Sequence, residues 1–312
     1  MLEIARWSES PLDPCAMHNL LTGFLSGRCE RTLLAYRQDL EDFARFVNVA
    51  GAEAAADVLL QGGQGRANSL AVSYRAALVD SGLSAATVNR RLAALRSLVK
   101  LARTFGLVSW ELEVPNVKAQ PYRDTRGPGR EGFRQLLREL EQCPDRAKAV
   151  RDRALLRLLY DLALRRSEAA SLDVAHVSLE AGTVSIRGKG RSERVTLTLP
   201  EPTVCALRAW LEIRGTEPGP LFLNADRARK GRRLTGRSVA RIVGKLGNAV
   251  GLRVRPHGIR HASITEALDL TRGDVRKVQK FSRHRDLRTL TVYDDNRRDL
   301  AGEVAKLVAG VV

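Results

Sequence analysis

The chain has 312 residues, of which 44% are hydrophobic, so it is long enough to bury two ordinary domain cores and is not a disordered tail. Its 52 lysines and arginines outnumber its 35 aspartates and glutamates, and the formal charge of +17 favours a nucleic acid partner over a generally basic surface. The four cysteines form no Cys-x-x-Cys pair, and no run of about eighteen apolar residues occurs. We therefore expect no zinc site, no disulfide framework, no signal peptide, no membrane span, and a cytoplasmic location.

The first hundred residues predict helices separated by short polar breaks. One apolar stripe recurs at steps of three and four and comprises Leu33, Tyr36, Leu40, Phe43 and Val47. A later helix begins after Ser84, a predicted N-cap, and has an apolar face made of Val88, Leu92, Leu95, Val99 and Ala102. Its other faces carry Arg90, Arg91, Arg96, Lys100 and Arg103. These basic residues are expected either to contact DNA phosphates or to form a solvated basic surface.

The helical periodicity disappears around residues 114–130, where Pro, Gly and alternating charges indicate an exposed linker. We predict one domain over residues 1–115, a linker over 116–130 and a second domain over 131–312. Helices are predicted near 132–142 and 147–163. A β-hairpin is predicted next, because apolar and polar residues alternate on both sides of the turn Gly188-Lys189-Gly190, with Val184, Ile186, Val195, Leu197 and Leu199 as the apolar members. The expected fold is mainly α with a small antiparallel β-sheet, in two domains.

Six polar residues in the second half supply what the transfer of a DNA phosphodiester requires. Without a metal or a nucleotide, this chemistry needs a covalent nucleophile, cations on the non-bridging oxygens and an acid for the departing hydroxyl. The candidates, in chain order, are Arg165, Lys189, His257, Arg260, His284 and Tyr293. Each has an ordinary alternative when taken alone. Arg165 would form a structural ion pair with Glu168, Lys189 would be an exposed turn residue, and Tyr293 would be a half-buried aromatic.

The order and spacing of these residues resemble the tyrosine recombinase and phage integrase family, which includes the Xer and Cre recombinases. The family's motifs are matched by Ala163 to Leu172, by Lys189, by His257-x-x-Arg260-His261, and by His284 with Tyr293 nine residues later. The first half resembles the family's helical core-binding domain in Thr32, Tyr36, Asp39, Leu40, Phe43 and Ser84 to Asn89. Two positions depart from the pattern: Ala163 stands where the family commonly has Gly, and Ser282-Arg283 stands in place of Leu-Gly. Arg283 is expected to reposition that turn slightly or to add a phosphate contact.

The resemblance implies that residues 1–115 form a SAM-like core-binding domain for DNA and that residues 131–312 form the catalytic domain. It implies that Tyr293 attacks the scissile phosphate and forms a 3′-phosphotyrosine. Arg165 and Arg260 would clamp the non-bridging oxygens, and His284 would add a hydrogen bond. Lys189 would be the general acid and His257 the general base or proton shuttle, with the division of proton transfers between these two left open. No cofactor is expected, neither metal nor ATP.

The implied partner is double-stranded DNA. The resemblance also implies that the chain forms a homotetramer on two paired DNA sites, and that this tetramer exchanges strands through a Holliday junction. A second recombinase or accessory DNA-bending proteins are further candidates. Two alternatives stay open: a type IB topoisomerase-like nicking and closing enzyme, and a catalytically inactive DNA-binding protein. The sequence leaves open the DNA target and the choice among dimer resolution, integration, excision and inversion. It also leaves open whether the C-terminal tail, with Leu300, Val304, Leu307 and Val308, packs on its own domain or on a neighbour.

Overall fold

The computed structural model describes residues 14–25, 30–118, 127–188, 193–226, 230–284, 287, 290, 306 and 308–310. The chain divides into two compact units, Met1–Tyr122 and Arg123–Val312. This division falls inside the segment 116–130 predicted as a linker. Residues 119–126 lie outside the described ranges, so the domain boundaries at 115 and 131 stay a prediction.

In the residues of the first unit that the structure describes, all regular structure is helical. Within the described residues its helices are α1 Pro14–Leu25, α2 Glu30–Phe46, α3 Gly51–Leu60, α4 Gly63–Asp80 and α5 Ala85–Thr104. Helix α5 begins where the sequence predicts, because the Ser84 hydroxyl accepts a hydrogen bond from the backbone N–H of Thr87 at 3.3 Å. Its predicted apolar face is buried in the core, and in α2 the inner part of the stripe, Leu40 and Phe43, is buried as well.

The second unit combines helices with a small sheet. Its helices are α6 Gly129–Glu141, α7 Arg146–Asp161, α8 Arg166–Ala170, α9 Glu201–Arg214, α10 Gly236–Ala249, α11 Pro256–Leu270 and α12 Val275–Ser282, with a 3₁₀ turn at Val174–His176. Helix α7 contributes Leu155, Leu156, Leu158 and Leu159 to the core, all of them inaccessible to solvent. It packs against α9, where the Trp210 indole donates a hydrogen bond to the Leu221 carbonyl at 2.8 Å.

Three short strands form one antiparallel sheet in the order β1-β2-β3. They are β1 Val177–Ser178, β2 Thr183–Arg187 and β3 Arg194–Thr198. The predicted hairpin is confirmed: Thr183 lies opposite Thr198, and Arg187 lies opposite Arg194. The alternation places the β2 residues Val184 and Ile186 in the core. Strand β1 was not predicted, because two residues carry no periodicity.

Two residues with left-handed backbone end helical segments near the candidate site. Helix α7 stops at Asp161, two residues before the predicted end, and Ala163 has φ of 45°. Arg283 follows α12 with φ of 58° and ψ of 35°. Helix α11 begins at Pro256, where a proline is favourable because the first helical turn needs no partner for a backbone N–H. These three breaks place Arg165, His284 and His257.

The mainly helical fold with a small antiparallel sheet is confirmed. In the described part of the chain, no helix combines the length and apolar character that a membrane crossing requires. Of the predicted amphipathic tail, Leu300, Val304 and Leu307 lie outside the described residues, and Val308 is 63% exposed.

Candidate active site

Arg260 lies at the centre of the candidate site and is only 2% exposed. Its guanidinium donates hydrogen bonds to the carbonyls of Ala163 and Ser282. A third contact joins its Nη2 to Nε2 of His284 at 3.3 Å. Backbone carbonyls are neutral acceptors, so these bonds orient the fork without cancelling its positive charge. Helix α11 thereby holds a cation between the turn after α7 and the turn after α12.

His284 is held as a neutral imidazole. Its Nδ1 lies 3.0 Å from the Ser282 hydroxyl, which itself donates to the Gln279 carbonyl at 3.3 Å. Because that hydroxyl has a single proton, Nδ1 is the donor toward Ser282, and the lone pair of Nε2 faces Arg260. Burial, followed by the charges of Arg260 and Arg165, lowers the pKa of His284 to about 4.

This lowered pKa predicts a loss of stability in mild acid. Between about pH 6.5 and pH 4 the unfolded chain protonates His284 and the folded, DNA-free protein does not, so the free energy of unfolding falls as the pH falls. Urea unfolding at pH 7, 5.5 and 4.5 measures this slope. His284→Asn keeps an amide donor toward Ser282 but does not titrate, so its unfolding free energy should depend less steeply on pH. Parallel pH dependences in the two proteins would contradict the prediction.

Arg165 is the N-cap residue directly before the short helix α8 and is paired with Glu168. The Glu168 carboxylate accepts the Arg165 backbone N–H at 2.8 Å and its Nη1 at 2.7 Å. In the DNA-free structure Arg165 therefore forms the ion pair with Glu168 that was its ordinary alternative role. The Arg165 side chain is nevertheless 29% exposed. Burial alone would raise the pKa of Glu168. The Arg165 N–H and the Arg283 charge outweigh it and hold the pKa below its usual value.

His257 lies one helical turn before Arg260 on α11 and keeps an exposed surface. Its pKa is lowered by partial exclusion of water and then by the charges of Arg260 and Arg165. Both imidazoles are thus neutral near pH 7. Four of the six predicted residues, from three separate segments, lie close enough to influence one another's charge.

The other two predicted residues, Lys189 and Tyr293, lie outside the described residues. The chain on either side of Lys189 is anchored by the Arg187–Arg194 pair that ends the β2–β3 ladder. Three residues before Tyr293, Leu290 is 2% exposed and belongs to a small apolar cluster with Ala163, Ile264 and Val278.

Arg283, which the sequence predicts as a DNA contact, is bonded within the protein. Its side chain is only 10% exposed and is turned inward. It donates to the carbonyls of Leu162, Ala163 and Phe281, each at 2.9 Å, and to Glu168 Oε2 at 3.2 Å. Arg283 adopts the left-handed backbone that is favourable for a glycine. In the DNA-free structure its guanidinium is therefore engaged in internal hydrogen bonds, and its contact with a phosphate stays a prediction.

The basic residues of α5 are also engaged within their own unit. Arg90 pairs with the buried Asp39 of α2, and Arg91 pairs with Asp42 of the same helix. Arg96 donates to Asn116 Oδ1 at 2.5 Å. Lys100 is exposed, and 45% of the Arg90 side chain is exposed despite its ion pair. A guanidinium has five N–H donors, and each of these pairs uses only some of them. The internal pairs therefore do not exclude contacts between α5 and DNA, which stay a prediction.

The sequence did not reveal Glu168 and Ser282 as members of the site. Glu168 was recognised only as an ordinary ion-pair partner of Arg165, and Ser282 only as a departure from the family pattern. Its position two residues before His284 is a weak local signal, because serine hydroxyls often bond to groups nearby in the chain. In the described ranges, no three His, Cys, Asp or Glu side chains are grouped so as to hold a metal ion.

Comparisons with known proteins agree on one family. The phage integrase family matches residues 131–299, and the family described as the N-terminal SAM-like domain of phage integrases matches residues 24–104. A tyrosine recombinase of Synechocystis sp., slr0733, is 38% identical over 293 residues, covering 91% of this chain and 92% of the relative. Tyrosine recombinase XerC of Shigella flexneri is 31% identical over 274 residues, covering 84% of each chain.

Solved structures agree at the level of the fold. The lambda integrase dimer bound to a COC′ core site has a TM-score of 0.65 at 15% identity, over 90% of this chain and 78% of that one. The XerH recombinase in a post-cleavage complex with a palindromic difH substrate has a TM-score of 0.64 at 22% identity, over 89% and 78%. The sequence matches cover both units, and the predicted resemblance is confirmed. The chain belongs to the phage integrase family of tyrosine recombinases, enzymes that cut and rejoin DNA.

Proposed function

We propose that this chain is a site-specific DNA recombinase in which Tyr293 is the nucleophile. The phenolic oxygen attacks the scissile phosphorus, a 3′-phosphotyrosine bond forms, and the bond to the 5′-oxygen breaks. The departing oxygen takes up a proton and leaves as a 5′-hydroxyl. A 5′-hydroxyl from a partner strand then reverses the step. Because the phosphotyrosine is itself a phosphodiester, no ATP is needed to reseal the strand.

The convergence of Arg165, His257, Arg260 and His284 is the observation that carries this proposal. Two guanidiniums share the site with two neutral imidazoles. In the described surroundings three guanidiniums, those of Arg165, Arg260 and Arg283, meet one carboxylate, that of Glu168. The excess positive charge suits a phosphodiester whose oxygens become more negative in the transition state.

The roles follow from these protonation states. Arg165 and Arg260 hold the two non-bridging oxygens, because a planar guanidinium can donate two parallel hydrogen bonds to a phosphate. A bound phosphodiester anion raises the pKa of His284, so the ring takes up a proton and donates from Nε2. His257 is neutral near pH 7 and can accept the Tyr293 proton, because a free phenol with a pKa near 10 is scarcely ionised there. Lys189 protonates the leaving 5′-oxygen.

The wider assembly is part of the same proposal. Residues 1–115 form the core-binding domain and residues 131–312 the catalytic domain, joined by the linker 116–130. The partner is double-stranded DNA in the cytoplasm, bound by a homotetramer on two paired sites. The net charge of +17 and the DNA-bound state of the lambda integrase and XerH structures support the DNA partner.

Covalent trapping tests the proposal. The purified protein is incubated with nicked suicide duplexes that carry the sequences flanking its own gene, in buffer with EDTA, and adducts that survive SDS are counted. We expect a protein–DNA adduct, and peptide mapping should place it at Tyr293. An absence of adduct while a known relative reacts on its own site would contradict the proposal. Relaxation of a supercoiled plasmid that lacks those sites would favour the topoisomerase-like alternative.

A further inference from the structure

Two turns flank the candidate site, and each contains a side chain in left-handed backbone. The first turn is residues 162–165, where Ala163 has φ of 45° and precedes Arg165 by two residues. The second turn is residues 282–284, where Arg283 has φ of 58° and directly precedes His284. The family pattern commonly has glycine at both positions. Glycine adopts such angles without steric cost, whereas a residue with a Cβ atom adopts them at a steric cost. The arginine in the second turn therefore adopts this backbone at a steric cost that a glycine would avoid.

That side chain joins the two turns. The Arg283 guanidinium leaves the second turn and donates to the Leu162 and Ala163 carbonyls of the first turn, both at 2.9 Å. A further bond to the Phe281 carbonyl, also 2.9 Å, fixes it to the end of its own helix. The planar fork thus bonds to two separate pieces of backbone at once, which fixes their separation and orientation.

Glu168 makes this contact part of the site. Its carboxylate accepts Arg165 from one side and Arg283 Nη2, at 3.2 Å, from the other. Arg260 bonds to the same two turns through the Ala163 and Ser282 carbonyls. Ala163 thus accepts two guanidiniums with its single carbonyl. Among the described residues, loss of Arg283 would leave Glu168 paired with Arg165 alone. Arg260 would then be the one remaining described arginine that bonds to both turns.

We propose that Arg283 is a positioning residue, which holds the turn that bears Arg165 at a fixed separation from the turn that bears His284. This inference deepens the proposed function and rests on it. Arg283 acts through Arg165 and His284 rather than on DNA, because a contact to a phosphate would require its guanidinium to leave four internal hydrogen bonds.

The test compares Arg283→Gly with Arg272→Gly. Arg272 also has a left-handed φ, 52°, and it is exposed beyond the end of α11, so the same substitution there removes an arginine from the same backbone conformation. Single-turnover cleavage of the nicked suicide duplex is measured at saturating DNA, together with the DNA dissociation constant at two salt concentrations. We expect Arg283→Gly to lower the cleavage rate by about tenfold to a hundredfold, as displaced catalytic groups do. DNA affinity and its salt dependence should stay as in the wild type.

Arg283→Lys provides the second variant, because it keeps the charge but not the fork and should cleave at an intermediate rate. An unchanged cleavage rate in Arg283→Gly would overturn the inference. So would weaker DNA binding with a smaller salt dependence, which is the signature of a lost phosphate contact. A wild type that forms no adduct would instead contradict the proposed function.

A structural measurement tests the inference without activity. In a crystal structure of DNA-free Arg283→Gly, the distance from Arg260 Nη2 to His284 Nε2 should lengthen from 3.3 Å, and the two turns should separate. In Arg272→Gly both should be unchanged. Turns that superpose on those of the wild type in Arg283→Gly would overturn the inference, whether or not the protein cleaves DNA.

Discussion

Replacement of Tyr293 by phenylalanine is expected to abolish the SDS-stable adduct while DNA binding persists. The substitution removes only the phenolic oxygen, which is the atom proposed to form the bond to phosphorus. The cations that attract the DNA are untouched, so the dissociation constant and its salt dependence should match those of the wild type. Adduct formation and strand exchange should both fall to background, because no other group in the proposed mechanism becomes covalently attached to DNA.

A second tyrosine provides the matched control. Tyr160 lies in α7, stacks on Phe133 with ring centroids 3.9 Å apart, and is not part of the proposed mechanism. Tyr160→Phe keeps that stack and should form the adduct at close to the wild-type rate. An adduct that persists in Tyr293→Phe would reject Tyr293 as the nucleophile. A loss of DNA binding in Tyr293→Phe would instead point to a structural role for the hydroxyl, and the covalent chemistry would then need mapping at another residue.

Local patterns in the sequence predicted the elements that carry the site. Pro256 marks the start of α11, so the spacing of His257 and Arg260 on one helix follows from the sequence. The alternation around Val184 and Ile186 predicts the hairpin that leads into Lys189. These features depend on residues close in the chain, where periodicity, caps and turn residues are informative.

The partners of the charged side chains were beyond such reasoning. Arg90 and Arg91 have the spacing of an outward basic face, yet carboxylates on another helix, Asp39 and Asp42, pair with them. Arginine is a residue type that usually lies at the surface, but Arg283 is buried against Glu168, which lies 115 residues earlier in the chain. Contacts of this kind depend on which elements the tertiary fold brings together, and single-sequence periodicity contains no information about them.

Glu168 is predicted to contribute strongly to the stability of the folded protein. It is 2% exposed and neutralises Arg165 and Arg283, so Glu168→Gln leaves the largely buried Arg283 charge without a carboxylate. The removal of one partner from a buried ion pair costs about 3–5 kcal/mol in the free energy of unfolding. At about 2–4 °C per kcal/mol for a unit of this size, the melting temperature should fall by roughly 6–20 °C. Arg165 also loses its anchor, so cleavage should slow along with the loss of stability.

Glu266 provides the control for this prediction, since it pairs with Arg130 on α6, whose side chain is 54% exposed. Glu266→Gln removes a pair whose arginine is exposed to solvent, so it should lower the free energy of unfolding much less than Glu168→Gln. Because the pKa of Glu168 is lowered, its contribution to stability is complete above the carboxyl pKa of the unfolded chain and is lost as the pH falls through its folded value. The difference between wild type and Glu168→Gln should therefore be full at pH 7 and shrink in acid. Equal urea midpoints for Glu168→Gln and Glu266→Gln at pH 7 would show that Arg283 does not depend on the carboxylate. The three carbonyls that it also contacts would then be sufficient to hold the two turns together.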